Sequence, residues 1–286
     1  MERQKRVAAI HDISCFGKCS LTVALPMLSC AGIETCCIPT AVLSTHTGGF
    51  SGYTYHDLTA DILPIADHWK SQQIQFDAVY TGFLGSREQT DIIGRVLDRI
   101  AREDTLVMVD PVMGDDGRLY PVFDESFPAA MRGLCARAHV IVPNMTEAYL
   151  LLDEPYQAGP YSEAEIDRLL TGLSRICPGH VVLTGVHFDE ASLGAATMEG
   201  GTGRREVVLR RKVDGFYHGT GDVYASTLLA ALMHDFSLSE AAGLAADYTV
   251  LSIETTKAMD KELRYGVNFE YNLPKLMQML KKEQAQ

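Results

Sequence analysis

The chain contains no run of about 18 apolar residues, the length an α-helix needs to cross a bilayer, so no transmembrane helix is expected. It has no block of basic residues either. Lys and Arg number 25 against 37 Asp and Glu, a net charge of −12, with the acids spread along the chain. That balance disfavours a nucleic-acid backbone or an acidic membrane surface as a partner. There is no G-x-x-x-x-G-K-[ST] phosphate loop, no G-x-G-x-x-G after a strand and no G-x-S-x-G elbow. These absences argue against a P-loop enzyme, a dinucleotide oxidoreductase and an α/β-hydrolase. The seven cysteines, Cys15, Cys19, Cys30, Cys36, Cys37, Cys135 and Cys177, lack two pairs at zinc spacing. Their odd number, with a charged segment at 1–6 that leads into a strand and does not resemble a secretory leader, points to reduced thiols in the cytoplasm. No Pro/Ser-rich linker, shift in composition, repeat or low-complexity segment divides residues 1–286, so one domain is expected.

What is present alternates between short apolar runs and longer amphipathic ones. Strands are expected at 7–10, 34–42, 78–81, 106–109, 139–142 and 181–183, and a hairpin from 195–198 and 206–209 around Gly200-Gly201-Thr202-Gly203. Helices are expected at 21–31 (kinked at Pro26), 56–70, 88–102, 163–176, 223–234, 239–255 and 272–282, with a further one opening at Asn144. The helix at 88–102 is the clearest, with Ile92, Ile93, Val96, Leu97 and Ile100 on one face. Alternating strands and helices predict an α/β fold with a mostly parallel sheet. In such a sheet ligands bind at the carboxyl ends of the strands. His11-Asp12, Thr81-Gly82, Asp110-Pro111, Pro143-Asn144 and Thr184-Gly185 all follow strands, so they converge on one edge.

His218-Gly219-Thr220-Gly221-Asp222 precedes an apolar helix. Gly-Thr-Gly allows a tight turn whose N–H groups point at one spot, and the helix behind it adds partial positive charge. An anion such as a phosphoryl group fits there. Asp222, at the helix start, can take a proton from an attacking alcohol, or it is an ordinary N-cap. Asp110, in Asp110-Pro111-Val112-Met113-Gly114, is placed to hold magnesium directly or through water, or it is a turn or cap acid. Asn144 and Glu147 have capping-box spacing, and Glu147 is also placed as a second acid on a metal–phosphate cluster. His11 is either beside a substrate or a satisfied buried histidine, and Trp69 reads as a packing residue.

In order and spacing these motifs resemble the ribokinase superfamily and, within it, the vitamin B6 kinase branch. Thr81-Gly82-Phe83-Leu84-Gly85-Ser86 is similar to that branch's S-G-Y-L-G-S, Ser44-Thr45-His46-Thr47 to its S-N-H-T, and Thr255-Thr256-Lys257-Ala258-Met259 to its T-T-K-A-M. The resemblance implies a three-layer α/β/α sandwich with at most a minimal β lid, drawn from 34–55, where sugar kinases carry a longer one. It implies ATP-dependent phosphorylation of the 5′-hydroxymethyl of pyridoxal, pyridoxine or pyridoxamine, in salvage of pyridoxal 5′-phosphate, and a homodimer. Asp222 would be the base, and the amides of Gly219, Thr220 and Gly221 would form the anion hole. Asp110 and Glu147 would organise Mg2+, partly through water. Asn144, Thr184 and Gly185 would lie along the nucleotide phosphates, with Arg210, Lys212, Val213 and Thr256 bordering the nucleotide. Asp12, His46, Thr47 and Phe83 would form the pyridine wall.

Three departures stand out. Asp12 replaces the branch's serine and suits a cationic amine or a protonated ring nitrogen. Phe83 replaces a tyrosine. No lysine stands near Thr184-Gly185, a charge that K+ or another group could supply. The alternatives are a hydroxymethylpyrimidine kinase of thiamine synthesis, with the same chemistry, and a vitamer- or nucleotide-binding protein without turnover, which would have no need of Asp222.

Overall fold

Hydrophobic periodicity sets the layers. The computed structural model describes residues 3–259 and 262–281. The first half runs β1 (Arg6–Ser14), α1 (Leu21–Cys30), β2 (Glu34–Leu43), β3 (Tyr55–Asp57), α2 (Thr59–Ser71), β4 (Ala78–Thr81), α3 (Arg87–Ile100) and β5 (Leu106–Val109). The small pair β6 (Gly114–Asp115) and β7 (Arg118–Leu119) follows, then α4 (Phe127–Cys135), β8 (Val140–Ile141), α5 (Met145–Leu152), α6 (Glu163–Ile176) and β9 (His180–Val186). The chain closes with β10 (Ser192–Met198), β11 (Arg205–Arg211), α7 (Thr220–Met233), α8 (Leu238–Ala258) and α9 (Leu273–Met279).

Nine strands form one sheet in the order β11-β10-β9-β8-β5-β4-β1-β2-β3. The six from β9 to β2 are parallel, while β3 on one edge and the β10–β11 hairpin on the other are antiparallel. Successive side chains of a strand face opposite ways, and the two cores follow from this. Ala8, Ile10, Val79, Val107 and Val109 pack with residues of α2 to α6. Val7, Ala78, Tyr80 and Met108 pack with α1, α7, α8 and α9 on the other face. The expected three-layer α/β/α sandwich is the architecture found, and no separate lid is built from 34–55. Residues 34–43 lie in the sheet, and Tyr55–Asp57 adds only an edge strand.

That edge strand corrects the expected helix at 56–70. Tyr55, His56 and Asp57 pair with Leu43, Val42 and Ala41, and the helix starts only after Asp57 Oδ1 accepts the Thr59 N–H at 2.8 Å. The helix α4 was not legible because Pro128 and Gly133 dilute its pattern. Pro128 lies in the first turn, where a missing N–H costs no helical bond. The helix expected at 272–282 ends at Met279, and Lys282 lies outside the described residues, as do residues 1 and 2 of the charged N-terminal segment.

The long helix α8 packs on α7 and begins with a complete capping box between Ser237 and Glu240. Replacing Ser237 by alanine should cost about 1 kcal/mol, read as a lower urea midpoint at unchanged slope. An unchanged midpoint would show that the cap adds nothing.

Candidate active site

Gly219 initiates α7 with φ 78°, in the left-handed region that favours glycine. A Cβ there would also lie 2.1 Å from the Lys18 carbonyl oxygen, so a second restriction excludes a side chain. The first bond of the helix runs from the Val223 N–H to the Gly219 carbonyl at 3.0 Å. The amides of Thr220, Gly221 and Asp222 therefore have no partner within the helix. The Thr220 hydroxyl donates to the Tyr217 carbonyl at 3.2 Å, and Gly221 is exposed. The turn thus offers amides and a helix N-terminus to solvent, a site that favours an anion.

Asp222 lies in this first turn, half-buried. Burial pushes its carboxyl up to about 7, with the nearby Asp12 adding to the shift and the Ser20 N–H, which it accepts, opposing it. Ser20 has φ 56°, a strained value for a residue with a side chain. Its hydroxyl serves Asp12 while its amide serves Asp222. Asp12 is buried, its carboxyl raised by burial and held down by the Ser20 hydroxyl and by the Ser14 hydroxyl at 3.1 Å. It sits where the pairing of β1 with β2 slips by a residue, between His11 and Ile13.

The second acidic group stands at the ends of β5 and β8. Asp110 is buried, and no hydrogen bond reaches its carboxylate among the described residues. Burial, then Glu147 and Asp222, holds its carboxyl well above the usual range. Glu147 accepts the Met113 N–H (3.1 Å) on one oxygen and the Asn144 N–H (2.8 Å) on the other. Burial nevertheless raises it to about 8. Asn144 closes the capping box, its Oδ1 accepting from the Glu147 N–H and its Nδ2 donating to the Gly114 carbonyl, both at 2.9 Å. Glu147 and Asn144 are thus engaged by the backbone. Thr184, bridged to Asn144, and Gly185, at φ 80°, follow on β9. Tyr120 adds a phenol beside this group, held protonated by burial and the surrounding acids.

The residues expected to form the pyridine wall, with the neighbouring His11, separate into three kinds. His46 is buried. Its Nδ1 accepts the Gly48 N–H at 3.1 Å, which leaves Nε2 to donate to the Arg264 carbonyl at 2.7 Å. It offers a ligand only its ring. Thr47 is exposed, and Phe83 is half-buried with its ring 5.7 Å from that of Phe123. His11 is fully buried against the edge of Tyr80, and burial lowers it to about 3, so it is neutral; neither ring nitrogen has a partner among the described residues.

A cavity of about 350 Å3 opens between the end of β11 and the end of α8, lined by Lys212 and Val213 together with Arg211, Glu254 and Lys257. Arg210 and Thr256 do not line it. Arg210 is held by Asp247 on α8, and the buried Thr256 hydroxyl accepts the Asn268 N–H at 2.7 Å. Ser20 and Tyr120 are site residues that the sequence did not single out. A positive φ on a serine has no signature in sequence, and a tyrosine 10 residues past Asp110 belongs to no motif.

Fold and site together define an α/β kinase of the ribokinase superfamily. A family model described as phosphomethylpyrimidine kinase matches residues 25–267. The pyridoxal kinase of Lactobacillus plantarum superposes with a TM-score of 0.89 at 31% identity, covering 97% of this chain and 98% of that one. A candidate phosphomethylpyrimidine kinase from Bacteroides thetaiotaomicron, crystallised with pyridoxal, superposes with a TM-score of 0.91 at 38% identity, covering 96% of each chain. The pyridoxine/pyridoxal/pyridoxamine kinase of Bordetella avium is 28% identical over 89% of this chain and 86% of its own. The chain belongs to the phosphomethylpyrimidine kinase family.

The raised proton affinity of Asp222 has a consequence for stability. Folded, the group titrates at about 7 against an ordinary 3.8. The folded state is therefore penalised for its charge above about pH 7, and the penalty fades as pH falls toward 4. In metal-free protein, Asp222→Asn should raise Tm by on the order of 5 °C at pH 8 and leave it unchanged at pH 4. A lower Tm at pH 8 would contradict the assigned environment.

Proposed function

We propose that the chain transfers the γ-phosphoryl group of Mg-ATP to the 5′-hydroxymethyl of a vitamin B6 vitamer (pyridoxal, pyridoxine or pyridoxamine), in salvage of pyridoxal 5′-phosphate. One observation carries the proposal: a carboxylate of near-neutral proton affinity, Asp222, stands at the mouth of an amide-lined helix N-terminus. Asp222 takes the alcohol proton as the oxygen attacks phosphorus. The amides of Gly219, Thr220 and Gly221 receive the charge that builds on the transferred group. Most of the rate comes from holding the two reactants in line. The names of the Lactobacillus and Bordetella relatives and the pyridoxal bound by the Bacteroides protein support the substrate class.

The donor set around Asp110 suits Mg2+. No group of three ligands is clustered to hold a bare ion among the described residues. Asp110 offers a carboxylate with no hydrogen-bond partner among the described residues, and Glu147, each of whose oxygens already accepts one amide N–H, would act partly through water. Magnesium keeps several waters and takes the rest of its shell from phosphate oxygens, and when bound it neutralises phosphate charge. Asn144, Thr184 and Gly185 border the phosphates. Lys212 and Val213 border the base from the cavity at the end of β11, while Arg210 and Thr256 support that cavity from behind. Asp12, Thr47, Phe83 and the ring of His46 enclose the pyridine. K+ in place of the lysine missing near Gly185, a single domain, a homodimer and a cytoplasmic setting complete the proposal, the last supported by seven free thiols. A second reading, a hydroxymethylpyrimidine kinase, is favoured by the description of the matching family model.

Release of ADP with each vitamer and with hydroxymethylpyrimidine, measured side by side, tests the proposal. Turnover of a vitamer is expected, with pyridoxamine preferred if Asp12 meets its amine. Turnover of hydroxymethylpyrimidine alone would select the second reading. Asp222→Asn should bind ATP normally and lose turnover by a factor on the order of 10² or more; near-normal turnover would remove Asp222 as the base. Because the base must be ionised, kcat/KM should climb about tenfold per pH unit up to about 7 and then level off. A flat profile from pH 5 to 8 would refute its role.

A further inference from the structure

The edge strand β3 brings a side chain to the site that no motif marks. Tyr55 pairs with Leu43, and Leu43 pairs with Ser14, so the three stand in a row across the ends of β3, β2 and β1. The hydroxyl of Ser14 binds Asp12. The phenol of Tyr55 crosses to the segment after β4, where its oxygen lies 2.1 Å from the position a Cβ on Gly85 would take. A side chain at 85 would displace the phenol from this position. No hydrogen bond reaches the Tyr55 hydroxyl among the described residues, and the residue is 40% exposed. Phe83, on the same segment, has no polar atom in its side chain to offer there.

Three polar groups are thereby arranged in sequence. Ser20 joins the first two, its amide bonding Asp222 and its hydroxyl Asp12, and Asp57 and Asp12 both lie close enough to act on the Tyr55 phenol. Burial and those charges raise the phenol to about 12, so it is a neutral donor at physiological pH. A B6 vitamer presents three polar substituents in sequence on its ring: the 5-hydroxymethyl, the variable group at carbon 4 and the hydroxyl at carbon 3. With the 5-hydroxymethyl at Asp222 and the carbon 4 group at Asp12, the next substituent falls to the next protein group.

We propose that Tyr55 determines specificity by hydrogen-bonding the 3-hydroxyl of the vitamer ring. This rests on the B6 kinase reading above. Tyr55→Phe keeps the ring and removes only the hydroxyl, so the fold is retained, which an unchanged Tm verifies. Steady-state kinetics of the wild type and this variant on pyridoxine and on 3-deoxypyridoxine test it. The variant should raise KM for pyridoxine about tenfold, the effect of one lost hydrogen bond, with kcat within about twofold. It should leave KM for 3-deoxypyridoxine unchanged, because the partner is already missing. An equal change on both substrates, or none on either, would overturn the role of Tyr55 while leaving the kinase reading intact. Failure of the wild type to phosphorylate any of the three vitamers would overturn the kinase reading and this inference together.

Discussion

Desolvation of carboxylates gathered at one end of the sheet is the constraint on which this site depends. Asp12, Asp110, Glu147 and Asp222 converge at one end of the sheet, and desolvation raises every one of them. A fold can keep such a group only by holding acids protonated, giving them donors or leaving them a cation. Hydroxyls of Ser14 and Ser20 hold Asp12, one amide holds Asp222 and two amides hold Glu147. Among the described residues no hydrogen bond reaches the Asp110 carboxylate, and it is where a divalent ion would return the most. In the proposed reaction the anion hole and the acid cluster would be complementary, with amides for phosphate on one side and carboxylates for the metal on the other.

The parallel sheet makes that convergence possible. Strands β1, β4, β5, β8 and β9 all end at the same edge, so residues far apart in the chain become neighbours there. Each of the four acids lies at or just beyond such an end, or in the first turn of a helix that starts there. The two apolar cores lie below this edge and on either face, so the site sits on packed layers and not on loops alone.

Most of this was legible in the sequence because it is written in local patterns. The parallel strands carry continuous apolar runs, α3 and α6 carry clear stripes, and the Gly219–Asp222 turn and the Asn144/Glu147 box have characteristic spacing. What escaped depends on tertiary context. Tyr55–Asp57 became a strand because an unpaired edge of β2 lay beside it, which outweighed a weak helical pattern. The pairing of Arg210, expected to border the nucleotide, with Asp247 on α8 has no signature in sequence. Ser20 adopts a conformation imposed by two acids, one eight residues before it and one about 200 after.

His46 ties together segments from three regions of the chain. Its own amide bonds the Phe16 carbonyl, Nδ1 takes the Gly48 amide and Nε2 reaches the Arg264 carbonyl, while Lys18 in turn bonds Tyr265. Flaps joined in this way cannot fray one at a time, because releasing any of them unsatisfies a buried ring nitrogen or an amide shared with another. The mouth of the site therefore opens as a single cooperative unit, and amide exchange in 15–19, 44–50 and 262–266 should be governed by one common opening equilibrium.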